Sequence, residues 1–122
     1  MAIQKILIVD DSPTERYYLT DILVRNGFTV TTAENGEEAL AKIRADRPQL
    51  ILMDVVMPGA NGFQITRSIS RDPELSSVPI IICSSKNQET DRIWGMRQGA
   101  KDYFVKPVDG PALLARIATL DA

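Results

Sequence analysis

The chain has 122 residues, 44% of them apolar, with 14 basic and 16 acidic side chains and a formal charge of −2. That length predicts one domain over 1–122, and the near balance of charge offers no electrostatic footprint for nucleic acid or an anionic membrane. A lone cysteine, Cys83, and a complete lack of histidine exclude an internal disulfide, imidazole general bases, catalytic triads and His- or thiolate-ligated metals.

Residues 1–5 lead straight into Ile6-Leu7-Ile8-Val9, and apolar runs of this length fall far short of a bilayer span, so the expected location is cytoplasmic. Lys5 to Val9 is rich in β-branched residues and reads as a central strand delivering Asp10 and Asp11 to its carboxyl end. Ser12, Pro13 and Glu15 make a helix start with a capping-box pattern, and the helix is expected to run to Asn26-Gly27. Tyr18, Leu19, Ile22 and Leu23 recur at helical spacing and are expected to face the sheet. Phe28 to Ala33 alternates at period two, as an edge or near-edge strand does, and Glu37 to Ala45 returns to helical spacing.

Leu50 to Met53 is a short continuous apolar run, the mark of a strand buried on both faces. Asp54 follows it, and Met57-Pro58-Gly59 cannot prolong a strand, so Asp54 falls where the strand ends. Asn61 caps a third helix carrying Phe63, Ile65 and Ile69, which Asp72-Pro73 closes. The strand Ile80 to Ser84, a helix from Gln88 to Gln98, the strand Lys101 to Val105 and a last helix capped by Asp109 complete the order. Cys83 reads as a small buried hydrophobe within its apolar run. Five strand–helix units in strict alternation predict an α/β fold: a parallel five-stranded sheet with right-handed crossovers and helices on both faces.

Parallel strands gather their carboxyl ends, where open α/β sheets bind ligands. The residues at those ends are Asp10, Asp11, Asp54, Ser84 and Lys106. Taken singly they have ordinary readings as turn, capping or solvated residues; their coincidence at the ends of strands one, three, four and five does not. Like charges about 4 Å apart repel by roughly 4 kcal/mol at an effective dielectric near 20, so crowded carboxylates require a cation. Lys106 supplies one charge, and the oxygen-rich donor set suits Mg²⁺ rather than Zn²⁺. Such a cup suits phosphoryl transfer onto Asp54, with Lys106 and the metal neutralising phosphoryl oxygens and the Ser84 hydroxyl bonding one of them.

Five strings carry a resemblance over essentially the whole chain: 6–12, 52–59 with Gly62, 79–84, 99–103 and Val105-Lys106-Pro107. Together they resemble the CheY-like response-regulator receiver domains of two-component phosphorelays. The resemblance implies the flavodoxin-like strand order 2-1-3-4-5, phosphorylation of Asp54 by the phosphohistidine of a CheA-like histidine kinase, and Mg²⁺ held by Asp11, Asp54 and the Val56 backbone carbonyl, with Asp10 assisting. It further implies that Ser84 and Tyr103 switch on phosphorylation, that Lys106 pairs with the phosphoryl group and precedes a cis proline, and that Val56 and Lys86 tune phosphoryl lifetime. Valine cannot position an attacking water by a hydrogen bond, so slow hydrolysis is expected.

The strings 11–15, 88–91, Trp94-Gly95 and 97–100 are similar to the stand-alone receivers of the PilH type, which act in chemosensory control of twitching motility. Output is then a surface change at the helix 4–strand 5–helix 5 face around Ile93, Trp94 and Tyr103, read by a downstream protein. Ile93 and Trp94 also fit the core, Ile93 more so. Such a protein is a phosphoacceptor rather than an enzyme with a separate substrate, and a monomer when unphosphorylated. A flavodoxin-like carrier is disfavoured because Asp10-Asp11-Ser12-Pro13 would repel a flavin phosphate, and an aspartate-nucleophile phosphatase because Val56 stands where its second carboxylate belongs. A pseudo-receiver that binds partners without phosphorylation is the remaining alternative.

Overall fold

The computed structural model describes residues 3–59 and 61–120; Met1, Ala2, Ala60, Asp121 and Ala122 lie outside the described residues. Strands and helices alternate as β1 (Lys5–Val9), α1 (Pro13–Arg25), β2 (Thr29–Ala33), α2 (Gly36–Ala45), β3 (Leu50–Met53), α3 (Gly62–Arg71), β4 (Ile80–Ser84), α4 (Glu89–Arg97), β5 (Asp102–Val105) and α5 (Gly110–Leu120). All four strand pairings are parallel, and the order across the sheet is β2-β1-β3-β4-β5. This is the expected α/β architecture, with β2 on an edge, as its alternating burial requires.

Period-two alternation divides the central strands between two apolar layers. Leu7, Val9, Ile51, Met53 and Ile80 meet Ala39 and Ile43 of α2 and Ile65 and Ile69 of α3. Ile6, Ile8, Leu50, Leu52, Ile81 and Cys83 meet Leu19 and Leu23 of α1 and Leu113 and Ile117 of α5. Both faces of β3 and β4 are therefore covered, which explains why their sequences are continuous apolar runs. α4 is held differently. Gly95 is its one buried residue, and it rests on a small separate cluster of Val55, Ile82, Ala100 and Tyr103 with Phe63 against it.

Three expectations need correction. Only half of the capping box forms at α1: Ser12 Oγ accepts from the Glu15 N–H at 3.3 Å, but the Ser12 N–H donates to Asp10 Oδ1 at 2.9 Å, and Glu15 Oε2 is buried with no partner. Tyr18 does not face the sheet with Leu19 and Leu23. It lies at the edge of the apolar stripe, 39% exposed, and its hydroxyl donates to the Val108 carbonyl at 2.6 Å. Ile93 is not a core residue either. It is 45% exposed beside Trp94 at 49%, because the space beneath α4 is filled by the Tyr103 ring, against which Gly95 packs.

Candidate functional site

The register of the three central strands sets Asp10 and Asp54 side by side. Val9 pairs with Met53 across β1 and β3, so each aspartate is the first residue past its strand. Each also keeps one ladder-like bond, Asp10 N–H to the Ala33 carbonyl at 3.0 Å and Asp54 N–H to the Val9 carbonyl at 2.8 Å. The backbone beyond Asp54 is fixed from α3. A Cβ on Gly62 would lie 1.9 Å from the Asp54 carbonyl oxygen, so only glycine lets the start of α3 rest there. The Gly62 N–H donates to the Val55 carbonyl at 2.9 Å.

Lys106 reaches the same point from the end of β5. Its Nζ is 2.7 Å from Asp10 Oδ2 and 3.3 Å from Asp54 Oδ1, with both aspartates nearly inaccessible. One carboxylate oxygen from each of Asp10, Asp11 and Asp54 lies within 4.8 Å of the others, and Asp11 is the exposed member. The electrostatics follow from this crowding. Burial first, and the charge of Asp10 second, push the Asp54 carboxyl from 3.8 up to about 6, against the opposing pull of Lys106. Burial draws the Lys106 ammonium down, but its bond to Asp10 and the charges of both aspartates outweigh burial and leave it raised. A hard cation with oxygen ligands would relieve the remaining repulsion. The donor set, three carboxylates and no imidazole or accessible thiolate, fits Mg²⁺.

Ser84 stands at the same end of the sheet, fully buried, and its carbonyl accepts from the Lys106 N–H at 2.9 Å. Lys86 joins Ser84 to Tyr103: the Lys86 N–H donates to Ser84 Oγ at 3.2 Å, and the Lys86 carbonyl accepts from the Tyr103 hydroxyl at 2.8 Å. Tyr103 is thus turned inward and 5% exposed, and burial raises its phenol above the ordinary value. Val56 and Lys86 line one cleft of about 400 Å³ with Val55, Met57, Asn61 and Phe63, and Val56 is 56% exposed. The Lys106–Pro107 peptide is cis, as the resemblance implied.

One residue at this site escaped the sequence reading. Arg16, in the opening turns of α1, donates from Nη1 to the Asp10 carbonyl at 2.8 Å and from Nη2 to Glu34 Oε1 at 3.2 Å. The available signal was a cation near a helix N-terminus, where the macrodipole disfavours it.

The model of the response regulator receiver domain matches residues 6–118. The chain belongs to the response-regulator receiver family. Receiver domains are signalling domains that typically bind Mg²⁺ at an acidic pocket, and this chain brings Asp10, Asp11 and Asp54 into one acidic cluster. Among curated relatives, this receiver is 55% identical over 113 residues to Protein PilH of Pseudomonas aeruginosa, covering 93% of each chain. It is 42% identical to the transcriptional regulatory protein AfsQ1 of Streptomyces coelicolor, where it spans only 48% of the relative's length. Among solved structures, the chemotaxis protein CheY4 of Vibrio cholerae superposes with a TM-score of 0.88 at 31% identity, covering 97% of this chain and 98% of that one. A CheY-like receiver domain protein from Methanospirillum hungatei gives a TM-score of 0.88 at 26% identity over 98% and 94%.

Proposed function

We propose that this receiver accepts a phosphoryl group on Asp54 from the phosphohistidine of a CheA-like histidine kinase and signals by a phosphorylation-dependent change of surface. The observation that carries the reading is the Lys106 ammonium bridging Asp10 and Asp54 beside a third carboxylate, Asp11, at the joined strand ends. With its carboxyl near 6, Asp54 is largely ionised at neutral pH and available as a nucleophile. A carboxylate oxygen attacks phosphorus, the phosphorus–nitrogen bond breaks, and its electron pair stays with the donor imidazole. Mg²⁺, held by Asp11, Asp54 and the Val56 carbonyl with Asp10 assisting, would neutralise charge on the transferring oxygens. Lys106 and the Ser84 hydroxyl then hold the phosphoryl group in place.

The signal leaves through Lys86. Its backbone bonds both the Ser84 hydroxyl, through the N–H, and the Tyr103 hydroxyl, through the carbonyl, so a Ser84 that turns to the phosphoryl group draws this loop with it and resets the rotamer of Tyr103. α4, whose one buried residue is Gly95, has the fewest buried residues of the five helices and is the one able to follow. The reader surface is the α4–β5–α5 face bearing Ile93 and Trp94, and Val56 beside Lys86 sets a long phosphoryl lifetime. Likeness to Protein PilH over 93% of both chains supports a pilus-related role, and the regulator we propose is cytoplasmic, monomeric when unphosphorylated, and acts in type IV pilus twitching motility. Among the described residues no helix is long and apolar enough to cross a membrane.

The test is labelling by acetyl phosphate with and without Mg²⁺. One phosphoryl group per chain is expected, dependent on Mg²⁺ and lost in Asp54→Asn. A parent that takes no label in Mg²⁺ would overturn the proposal in favour of a phosphorylation-independent binding module.

A further inference from the structure

We propose that Arg16 is a positioning residue for the divalent-cation site, acting by fixing the orientation of the Asp10–Asp11 peptide. The inference rests on the phosphoacceptor reading, since it concerns how the Mg²⁺ ligands of that reading are presented. Three contacts form a closed ring around the corners that follow β1 and β2. The Asp10 N–H donates to the Ala33 carbonyl at 3.0 Å. Glu34 follows Ala33 and accepts from Arg16 Nη2 at 3.2 Å, and Arg16 Nη1 returns to the Asp10 carbonyl at 2.8 Å.

The carbonyl so held belongs to the peptide joining Asp10 to Asp11. The Asp10 side chain is already fixed by Ser12 N–H at 2.9 Å and Lys106 Nζ at 2.7 Å. Asp11 is the exposed member of the carboxylate trio, so its direction depends on the plane of that peptide. Arg16 has the chemistry for the task. A planar guanidinium donates along two directions at once, which a lysine ammonium on a flexible stem does not reproduce. The Glu34 post is itself steadied, because Asn35 caps α2 through a 2.8 Å bond from the Glu38 N–H and Gly36 is packed against Ile65. Arg16 also sits near a helix N-terminus, where a positive charge is unfavourable, and its side chain is only 17% exposed.

Positioning and plain electrostatics predict opposite results. A guanidinium acting only as a nearby positive charge would repel Mg²⁺, and its removal would tighten binding. A positioning role predicts weaker binding, at the lower end of what outer-shell partners of metal ligands produce, about tenfold. The experiment is a calorimetric Mg²⁺ titration of the parent, Arg16→Ala and Arg16→Lys, with thermal melts in chelator to confirm that each variant is folded. Both variants are expected to bind Mg²⁺ more weakly, Arg16→Ala by about tenfold and Arg16→Lys by at least about threefold. Melting temperatures in chelator should stay within a few degrees of the parent. Either folded variant binding Mg²⁺ as tightly as the parent, or more tightly, would overturn the inference and leave the phosphoacceptor reading intact. Should Arg16→Ala not fold, Arg16→Lys decides the matter alone. A parent that binds no Mg²⁺ would overturn both.

Discussion

Replacing Asp54 by asparagine should stabilise the folded protein, and should do so only above acid pH. In the folded chain the Asp54 carboxyl is pushed from 3.8 to about 6, chiefly by burial and then by the charge of Asp10. A carboxyl raised in the folded state contributes stability that is fully present below pH 3.8 and is lost as pH rises through about 6. At about 1.4 kcal/mol for each pH unit, ionising Asp54 costs the native state about 3 kcal/mol. Asparagine never ionises, so the gap between Asp54→Asn and the parent opens from about 0.5 kcal/mol at pH 4 to about 3 kcal/mol at pH 8. For a chain of this size that is about 10 °C in melting temperature. Thermal or urea melts of both proteins in chelator at the two pH values measure the gap, and saturating Mg²⁺ at pH 8 should narrow it by stabilising the parent more than the variant, which lacks the Asp54 ligand. A gap equal at both pH values, or a parent more stable than the variant at pH 8 in chelator, would refute the electrostatic account.

Further outcomes follow from the same contacts. Gly62→Ala sets a Cβ against the Asp54 carbonyl oxygen and should destabilise by about 3 kcal/mol in urea denaturation; a parent-like midpoint would mean that α3 is free to shift. Burial pushes the Cys83 thiol up to about 12, so native protein should resist a thiol reagent at pH 8 and react in step with urea unfolding. Rapid stoichiometric labelling of the native state would contradict its buried place. Tyr103→Ala removes the inward ring and its bond to Lys86, and should abolish capture of the downstream target while Asp54 still takes label from acetyl phosphate. Loss of labelling itself would contradict a switch role.

The sheet and its order of elements were legible because burial on both faces leaves continuous apolar runs at Leu50–Met53 and Ile80–Ser84, and because caps such as Asn61 announce their helices. Asp10, Asp54 and Lys106 were legible together because parallel strands leave their carboxyl ends no other place to go. What was hidden depended on contacts distant in the chain. Tyr18 shares the helical spacing of Leu19, but nothing local announces that its hydroxyl bonds Val108, 90 residues on. Glu15 fits a capping box, yet the N–H it would accept from is claimed by Asp10. Ile93 reads as core until the ring of Tyr103 is seen to occupy the space under α4. Arg16 left only the weak signal of a cation near a helix N-terminus, because its partners are a backbone carbonyl and a glutamate of the next corner.

The central claim is that one particular carboxylate becomes an acyl phosphate, and borohydride reduction tests it most directly. Protein labelled by acetyl phosphate in Mg²⁺ is reduced, digested and sequenced by mass spectrometry, since the hydride converts only the phosphorylated aspartate to homoserine. The account predicts homoserine at position 54 and nowhere else. Homoserine at position 10 or 11, or an unreduced chain that had carried label, would contradict it.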